Sequence, residues 1–426
     1  MNITRRYFLK SSGVAMVGLS AMPAFLTRAV LASPFPAGTS RKILVVLFQR
    51  GAMDGLNAVI PYGEPDYYRL RPSIAIPQPR STSTSLSAGG NQQTAIDLNG
   101  FFGLHPSLAP LEPLFKQRQL AIVHATGSPD TTRSHFDAQD YMESGTPGRK
   151  STEDGWLNRA LQFEKVDAST PFRAVAMGTN LPRALQGVAP AVALPDVRQF
   201  QMMAASPVVE GGFEAVYAQT VDKALRGTGT ETFEAIDMLR KANPQRYQPE
   251  NGAQYPQGRF GQSLLQVAQL IKANIGLEVA FLDSGGWDNH VNEGGVQGQL
   301  SNLLRGLGEG LAAFHRDLGD RMADIVVVTM SEFGRTAAEN GNRGTDHGHA
   351  NCMFLLGGDL NGGKVHGKWP GLSQGQLYEG RDLALTTDFR TVLSELLTRH
   401  MGNAAISTVF PGFSVNPNEF LGVLKA

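Results

Sequence analysis

Six runs of apolar residues recur along the chain, each with the length and continuous hydrophobicity of a buried strand. Such runs, rich in Val and Ile, are typical of strands covered on both faces by helices. The predicted strands are residues 42–48, 119–125, 171–177, 277–282, 324–329 and 352–356. Between them, helices are predicted at residues 106–115, 136–144, 153–163, 261–273, 294–318 and 388–400. This alternation predicts an α/β fold with a mostly parallel central sheet and helices on both faces.

Two segments depart from this alternation. Between residues 183 and 256 the pattern weakens, although residues 212–226 and 230–241 are predicted helices. We interpret residues 183–256 as a helical insertion or cap over the sheet. Residues 80–90 form a Ser, Thr and Gly tract that is typical of a flexible surface excursion.

The first 32 residues have the features of a targeting segment. Residues 4–10, TRRYFLK, match the twin-arginine export pattern, and a mild apolar stretch of about thirteen residues follows. That stretch is too short and too weakly apolar to span a bilayer stably. Small residues favour cleavage after Ala32, with Ala24 as the alternative. The sequence therefore predicts a periplasmic or secreted protein, exported folded with the twin-arginine machinery as partner and without a stable membrane span after cleavage.

Composition changes this picture mainly by exclusion. The chain holds 38 basic and 38 acidic residues, and residues 1–32 contain four of the basic ones and no acid. The remaining net charge of −4 gives no indication of a nucleic-acid-binding surface. Cys352 is the only cysteine, which excludes an intramolecular disulfide and any cysteine-based zinc cluster. Its place in a predicted strand indicates a buried thiol.

Polar residues collect in the loops that follow four of the predicted strands. They are Asp54; Ser134 with His135; Asp288 with His290; and Glu332 with Asp346, His347 and His349. In α/β sheets, ligands bind beyond the carboxyl ends of the strands. Carboxylates and imidazoles without cysteine are typical of zinc or manganese sites, with iron open and calcium open if oxygen ligands dominate. The pattern predicts a divalent metal site.

Three features of these loops also have an ordinary structural interpretation. Ser134 precedes a predicted helix, where its hydroxyl could cap the first turn or, beside Arg133, attack a phosphate-like group. Asp54 could equally cap a helix or a turn. The Gly-rich segment of residues 330–351 could be a solvated loop ordered by a histidine.

Six fragments of the sequence carry a resemblance to a known family. They are QRGAMDGLNAVIPY, LHPSLAPLEPLF, RSHFDAQDYMESG, GWDNH, SEFGR and DHGHAN. Over nearly all of the mature chain, the sequence resembles the family called domain of unknown function 1501. Its members are exported bacterial proteins in the alkaline-phosphatase-like superfamily. The resemblance implies one such domain over residues 33–426, with a metallohydrolase core.

The resemblance also implies roles for individual residues. By order along the chain, the first acid is matched by Asp54, the nucleophile by Ser134, the middle pair by Asp288 and His290, the strand-end acid by Glu332 and the last histidine by His349. Two departures stand out: the middle pair is spaced more closely than usual, and Glu332 replaces a common Asp-His pair. Asp346 and His347 are the residues that could compensate.

The leading hypothesis is an exported metal-dependent hydrolase of phosphate or sulfate esters, with a small anionic ester as substrate. Ser134 would be the nucleophile, and Arg133 and Arg335 would bind the anionic oxygens of the substrate. The predicted metal ligands are Asp54, Asp288, His290, Glu332, Asp346, His347 and His349. The alternative is a non-catalytic periplasmic binding or assembly protein that keeps the fold and a degenerate or structural metal site.

Overall fold

The computed structural model of the protein describes residues 41–80, 93–150, 152–163, 170, 172–197 and 247–425. The targeting segment and both helices predicted between residues 212 and 241 lie outside these ranges, as does most of the tract at residues 80–90. Within the described ranges, no helix is both long enough and apolar enough to cross a membrane.

The strands of the described residues form two sheets. In chain order they are β1 (Ile43–Gln49), β2 (Val59–Ile60), β3 (Ile96–Asp97), β4 (Gly103–Leu104), β5 (Leu120–Gly127), β6 (Ala174–Ala176), β7 (Val192–Ala193), β8 (Val279–Ser284), β9 (Ile325–Met330), β10 (Asn351–Gly357), β11 (Val365–His366) and β12 (Thr387–Asp388). The nine-stranded sheet has the order β11-β5-β10-β9-β1-β8-β6-β7, with β12 also paired to β5, and β2, β4 and β3 form a small second sheet. Each of the six predicted strands is present.

The large sheet is mixed, which corrects the prediction of a mostly parallel sheet. β10 runs antiparallel to both of its neighbours, β5 and β9, while the other described pairs of this sheet are parallel. The physical reason is the connection between β9 and β10, which is the polar segment 331–350 and contains no crossover helix. A chain that returns without crossing over the sheet runs in the opposite direction. The segment therefore begins and ends at the same end of the strands, and we refer to that side of the sheet as an edge.

Helices cover both faces of the large sheet. In chain order, the α-helices of the described residues are α1 (Gly55–Ala58), α2 (Pro65–Leu70), α3 (Glu112–Lys116), α4 (His135–Ser144), α5 (Trp156–Leu161), α6 (Arg259–Lys272), α7 (Gln299–Leu318), α8 (Phe389–Glu395) and α9 (Ile406–Val409). Val45 and Leu47 of β1 belong to the core that includes α6 and α7, whereas Val46 and Phe48 belong to the core that includes α5 and α8. Because alternate side chains of a strand enter opposite faces, burial on both sides explains the uninterrupted apolar run.

Several predicted elements have different bounds in the structure. The helix predicted at residues 106–115 is a 3-10 helix, Pro106–Leu111, followed by α3. The long helix starts later than predicted because Gly294 and Gly298 have φ values of 86° and 135°, which a right-handed helix does not accept. The closing helix ends in a π-helical turn, Leu396–His400. The described part of residues 183–256 includes β7, which joins the large sheet.

Candidate metal centre

Three histidines and one aspartate converge at the edge of the sheet where β5, β8 and β9 end. His135 is the first residue of α4, which follows β5. Asp288 and His290 lie in the loop after β8, and His347 lies in the segment between β9 and β10. We call these four residues the histidine cluster. The sheet thus brings together residues that are up to 212 positions apart in the chain.

The ring nitrogens of this cluster lie close together. The Nε2 atom of His347 is 3.0 Å from Nε2 of His135 and 3.0 Å from Nε2 of His290. Asp288 Oδ1 is 2.9 Å from Nε2 of His290 and 3.3 Å from Nε2 of His347, and Asp288 Oδ2 is 3.5 Å from Nε2 of His135. His135, Asp288 and His347 each offer one atom within a group spanning no more than 4.8 Å.

The other ring nitrogen of each histidine faces a hydrogen-bond acceptor. His135 Nδ1 is 2.7 Å from Glu332 Oε1, and His290 Nδ1 is 3.1 Å from Asp346 Oδ1. His347 Nδ1 is 2.8 Å from the backbone oxygen of Arg133. Carboxylates and carbonyls only accept hydrogen bonds, so in the tautomer with the proton on Nδ1 each ring donates to its acceptor and turns an unprotonated Nε2 toward the cluster.

In that tautomer the three Nε2 atoms repel one another, and a cation among them would remove the repulsion. A tetrahedral zinc ion with ligands at about 2.0–2.1 Å would place neighbouring ligand atoms about 3.3 Å apart. The separations reported above, from 2.9 to 3.5 Å, lie on either side of that spacing. Histidine ligands oriented by a carboxylate or a backbone carbonyl are also the usual arrangement at protein metal sites. The residues present therefore fit a divalent metal.

Glu332 is buried, and its role is to orient His135. Its Oε1 atom accepts hydrogen bonds from His135 Nδ1, from Gln139 Nε2 at 2.9 Å and from the backbone N–H of Gly51 at 2.8 Å. Burial is the largest influence and alone would raise the pKa of Glu332, but the hydrogen bonds from His135, Gln139 and backbone N–H groups together outweigh it, and the pKa is lowered. The hydrogen bond with Glu332 raises the pKa of His135. Glu332 thus stands behind a candidate ligand.

Arg335 holds Asp288 in place. Its Nη2 atom is 2.6 Å from Asp288 Oδ1, and the guanidinium also donates to the backbone oxygens of Gly51, Ala52, Trp287 and Thr345. Burial is the largest influence and alone would raise the pKa of Asp288, but the hydrogen bond and charge of Arg335, together with the neighbouring histidines, outweigh it and lower the pKa. The sequence predicted that Arg335 binds substrate, whereas the structure places it, buried, between three loops of the site.

Two of the predicted ligands are held away from the histidine cluster. Asp54 is buried and caps α1 through the backbone N–H of Leu56, and both of its carboxylate oxygens pair with the buried Arg71. His349 is buried and stacks on Tyr378, with ring centroids 4.5 Å apart. Burial lowers the pKa of His349. The structural interpretation of Asp54 as a helix cap therefore matches its position.

Ser134 and Arg133 lie beside the cluster. Ser134 is the N-cap residue of α4 by backbone conformation, but its hydroxyl makes no capping hydrogen bond. The guanidinium of Arg133 is 2.6 Å from the carboxylate of Asp382 and 2.8 Å from that of Glu379. Both arginines predicted to bind an anionic substrate are therefore engaged by groups of the protein itself.

His135 was not among the ligands predicted from the sequence. The functional role in this loop was assigned to its neighbour Ser134. The sequence signal for a role of His135 was its spacing of four residues from Gln139, which places both side chains on one side of α4. Phe333 packs against the rings of His135 and His347, with centroids 5.0 Å from each. Asp288, His290 and His347 are the predicted ligands that the structure brings together.

Comparison with known proteins identifies a family but no activity. A family model described as "Protein of unknown function (DUF1501)" matches residues 41–409. No curated protein matches the chain. Among solved structures, the lipoteichoic acid synthase LtaP from Listeria monocytogenes is similar with a TM-score of 0.32 and 9% sequence identity, over 78% of this chain and 69% of that one. Similarity that weak carries no argument, and placement in the alkaline-phosphatase-like superfamily stays a prediction.

Proposed function

Because the chain belongs to the DUF1501 family, whose description names no activity, we propose its function from the geometry of the histidine cluster. The proposed function is that of an exported metal-dependent hydrolase of phosphate or sulfate esters. One observation carries it: three imidazole Nε2 atoms converge beside a carboxylate, while each Nδ1 atom faces an acceptor.

The proposed metal ligands are His135, Asp288, His290 and His347. Three imidazoles and one carboxylate favour zinc, with manganese or iron as alternatives, and they suit calcium poorly because calcium prefers oxygen ligands. A divalent metal bound there would supply a Lewis acid that polarises a phosphoryl or sulfuryl oxygen. Glu332 and Asp346 would orient two of the histidines, and Arg335 would orient the aspartate.

Ser134 is the proposed nucleophile. It precedes His135 directly, and its hydroxyl makes no capping hydrogen bond to the first turn of α4. Its oxygen would bond to phosphorus or sulfur while the ester oxygen leaves as an alcohol, which takes up the proton of the hydroxyl. Water would then cleave the seryl ester and release phosphate or sulfate. The free backbone N–H groups at the start of α4 favour an anion at this place.

Metal content and hydrolysis test the proposal in sequence. Protein exported by its native route should contain about one equivalent of divalent metal by elemental analysis, and replacing His347 with Ala should remove it. Metal-loaded Ser134→Ala should lose hydrolysis of aryl phosphate or aryl sulfate while keeping its metal. Ser107→Ala, at the start of another helical segment, is the matched control. Protein without metal, or full turnover by Ser134→Ala, would overturn the corresponding step.

A second candidate function is favoured by one observation. Arg133 and Arg335 are both engaged by carboxylates or carbonyls of the protein, so neither is ready to bind a substrate anion. A non-catalytic binding or assembly protein with a structural metal would have no need of such a residue. A panel of phosphate and sulfate esters, run beside a pull-down of envelope proteins, separates the two functions. Hydrolysis by protein free of all partners would exclude the second.

Export by the twin-arginine pathway is proposed from residues 4–10 alone. Replacing Arg5 and Arg6 with Lys keeps the positive charge and removes the arginine pair. The double variant should remain in the cytoplasm on cell fractionation, whereas the unchanged chain should be found in the periplasm or the medium. Export of the double variant at the normal level would exclude this route.

A further inference from the structure

A pair of buried carboxyl groups lies beneath the histidine cluster. Glu293, three residues after His290, is fully buried. Its Oε2 atom accepts a hydrogen bond of 2.7 Å from the hydroxyl of Thr345. Its Oε1 atom has no donor among the described residues, and its carboxyl group lies within hydrogen-bonding contact of the Asp54 carboxylate. Two acidic groups therefore face each other without solvent.

Within the described part of the chain, one guanidinium, that of Arg71, acts on both of these acids. Arg71 is fully buried and pairs with both oxygens of Asp54, and its other hydrogen bonds go to uncharged oxygens. The neighbouring histidines, His105 and His124, are held neutral because burial lowers the pKa of each to about 4. Tyr67 donates its hydroxyl to an amide oxygen and adds no charge at neutral pH.

Two carboxyl groups that share one guanidinium in a buried site do not both ionise. Burial, followed by the charge of Asp54, raises the pKa of Glu293 well above its ordinary value. A proton on Glu293 gives both of its carboxyl oxygens a hydrogen-bond partner: the acid donates to Asp54 through one oxygen and accepts from Thr345 through the other. The unpartnered Oε1 atom is then the donor of the pair.

Glu293 also joins the two loops that carry most of the cluster. It belongs to the loop of Asp288 and His290, and Thr345 belongs to the segment of His347. Backbone hydrogen bonds run between the same two segments, from Glu293 N–H to the oxygen of Arg343 at 3.0 Å and from Thr345 N–H to the oxygen of Asn289 at 3.3 Å. Arg71, which is bound to Asp54, donates to the backbone oxygens of residues 336 and 337. It provides a second connection between the pair of acids, Glu293 and Asp54, and the segment between β9 and β10.

We propose that Glu293 is a positioning residue of the metal centre: as an uncharged carboxylic acid that donates to Asp54 and accepts from Thr345, it sets the distance between the His290 loop and the His347 loop. The proposal rests on the metal centre of the proposed function. Neither Glu293 nor Asp54 would touch the metal. Their effect on the metal would act through the positions of His290 and His347.

Substitutions of Glu293 separate its shape from its charge. Glu293→Gln keeps a donor for Asp54 and an acceptor for Thr345, so zinc affinity, measured by chelator competition, should stay near that of the unchanged protein. Glu293→Ala removes both, and affinity should fall by about 10- to 100-fold. The matched control is Glu278→Ala. Glu278 is also buried, but it precedes the opposite end of β8 and pairs with Arg173. Its loss should leave zinc affinity unchanged.

Infrared spectroscopy tests the proton directly and needs no metal. At pH 8, the unchanged protein should show a carbonyl band of a protonated carboxylic acid that is missing in Glu293→Gln. Absence of such a band, or an equal loss of zinc affinity in Glu293→Gln and Glu293→Ala, would overturn the proposal. If the unchanged protein binds no zinc, the proposed function fails separately. Hydrogen exchange of residues 285–298 and 337–347 would then still show whether Glu293→Ala, but not Glu293→Gln, loosens these loops.

Discussion

Replacing Glu332 with Gln isolates the charge that stands behind His135. The Oε1 atom of Glu332 accepts from three donors, His135 Nδ1, Gln139 Nε2 and the N–H of Gly51, and an amide oxygen in the same place can accept from all three. The amide nitrogen would replace Oε2, which faces the hydroxyl of Ser331 at 3.1 Å, and it can donate to that oxygen. The substitution therefore keeps the shape and the hydrogen bonds and removes one negative charge.

The expected magnitude follows from the difference between two kinds of hydrogen bond. A hydrogen bond to a charged group contributes about 1.5–3 kcal/mol, and a neutral one contributes about 0.5–1.5 kcal/mol. The loss at His135 is thus about 1–1.5 kcal/mol, which corresponds to about a tenfold weaker affinity for zinc. Glu332→Ala, which leaves His135 without an acceptor for its Nδ1 proton, should cost about 10- to 100-fold.

Competition with a chromophoric chelator at fixed pH measures these affinities. Asp346→Asn is the matched control, because Asp346 makes the same kind of contact with His290 but its side chain is 55% exposed. Water can replace much of that contact, so a smaller loss than in Glu332→Gln is expected. Equal losses in the two variants, or an unchanged affinity in Glu332→Gln, would refute the assignment of Glu332 as the buried group that orients a ligand.

Three further predictions concern residues outside the cluster. His349→Gln should leave zinc affinity unchanged, because this ring stacks on Tyr378; loss of the metal on elemental analysis would contradict this. Asp54→Ala should lower the free energy of unfolding by about 3–5 kcal/mol in urea denaturation, because Arg71 is left buried without its partner; a change below about 1 kcal/mol would count against that reasoning. Glu293 has a raised pKa in the folded state, so its contribution to stability is complete below the ordinary carboxyl pKa of about 4.3 and is lost as the pH rises through the raised value. Glu293→Gln should therefore gain stability relative to the unchanged protein as the pH increases, and a difference independent of pH would contradict this.

The strands were predictable because a strand that is buried on both faces has an uninterrupted run of apolar residues. The run from Ile43 to Phe48 is apolar at every position, since its two sets of alternating side chains enter two different cores. The apolar pattern of a strand does not show in which direction the strand runs. The residues of β10 are as fully buried as those of β9, and only the missing crossover helix in residues 331–350 distinguishes an antiparallel return from a parallel one.

The candidate site was predictable in its location and only partly in its roles. Asp288, His290 and His347 follow strand ends, and the structure brings them together. Asp54 also follows a strand end, but its role is decided by Arg71. This residue lies 17 positions further along the chain and pairs with both carboxylate oxygens. Glu332 was predicted as a ligand because residue type and spacing alone do not separate a carboxylate that binds a metal from one that orients a histidine.

The contacts of Arg335 have a consequence for the order in which the protein folds. Its acceptors come from residues 51, 52, 287, 288 and 345, so one side chain contacts residues as far as 284 positions away in the chain. A chain still being synthesised cannot complete this junction before residue 345 has left the ribosome. Loops closed over such long separations carry a large entropic cost that is recovered only when the whole sheet has assembled. A finished histidine cluster would therefore mark a chain that has been synthesised beyond residue 347 and whose central sheet has assembled.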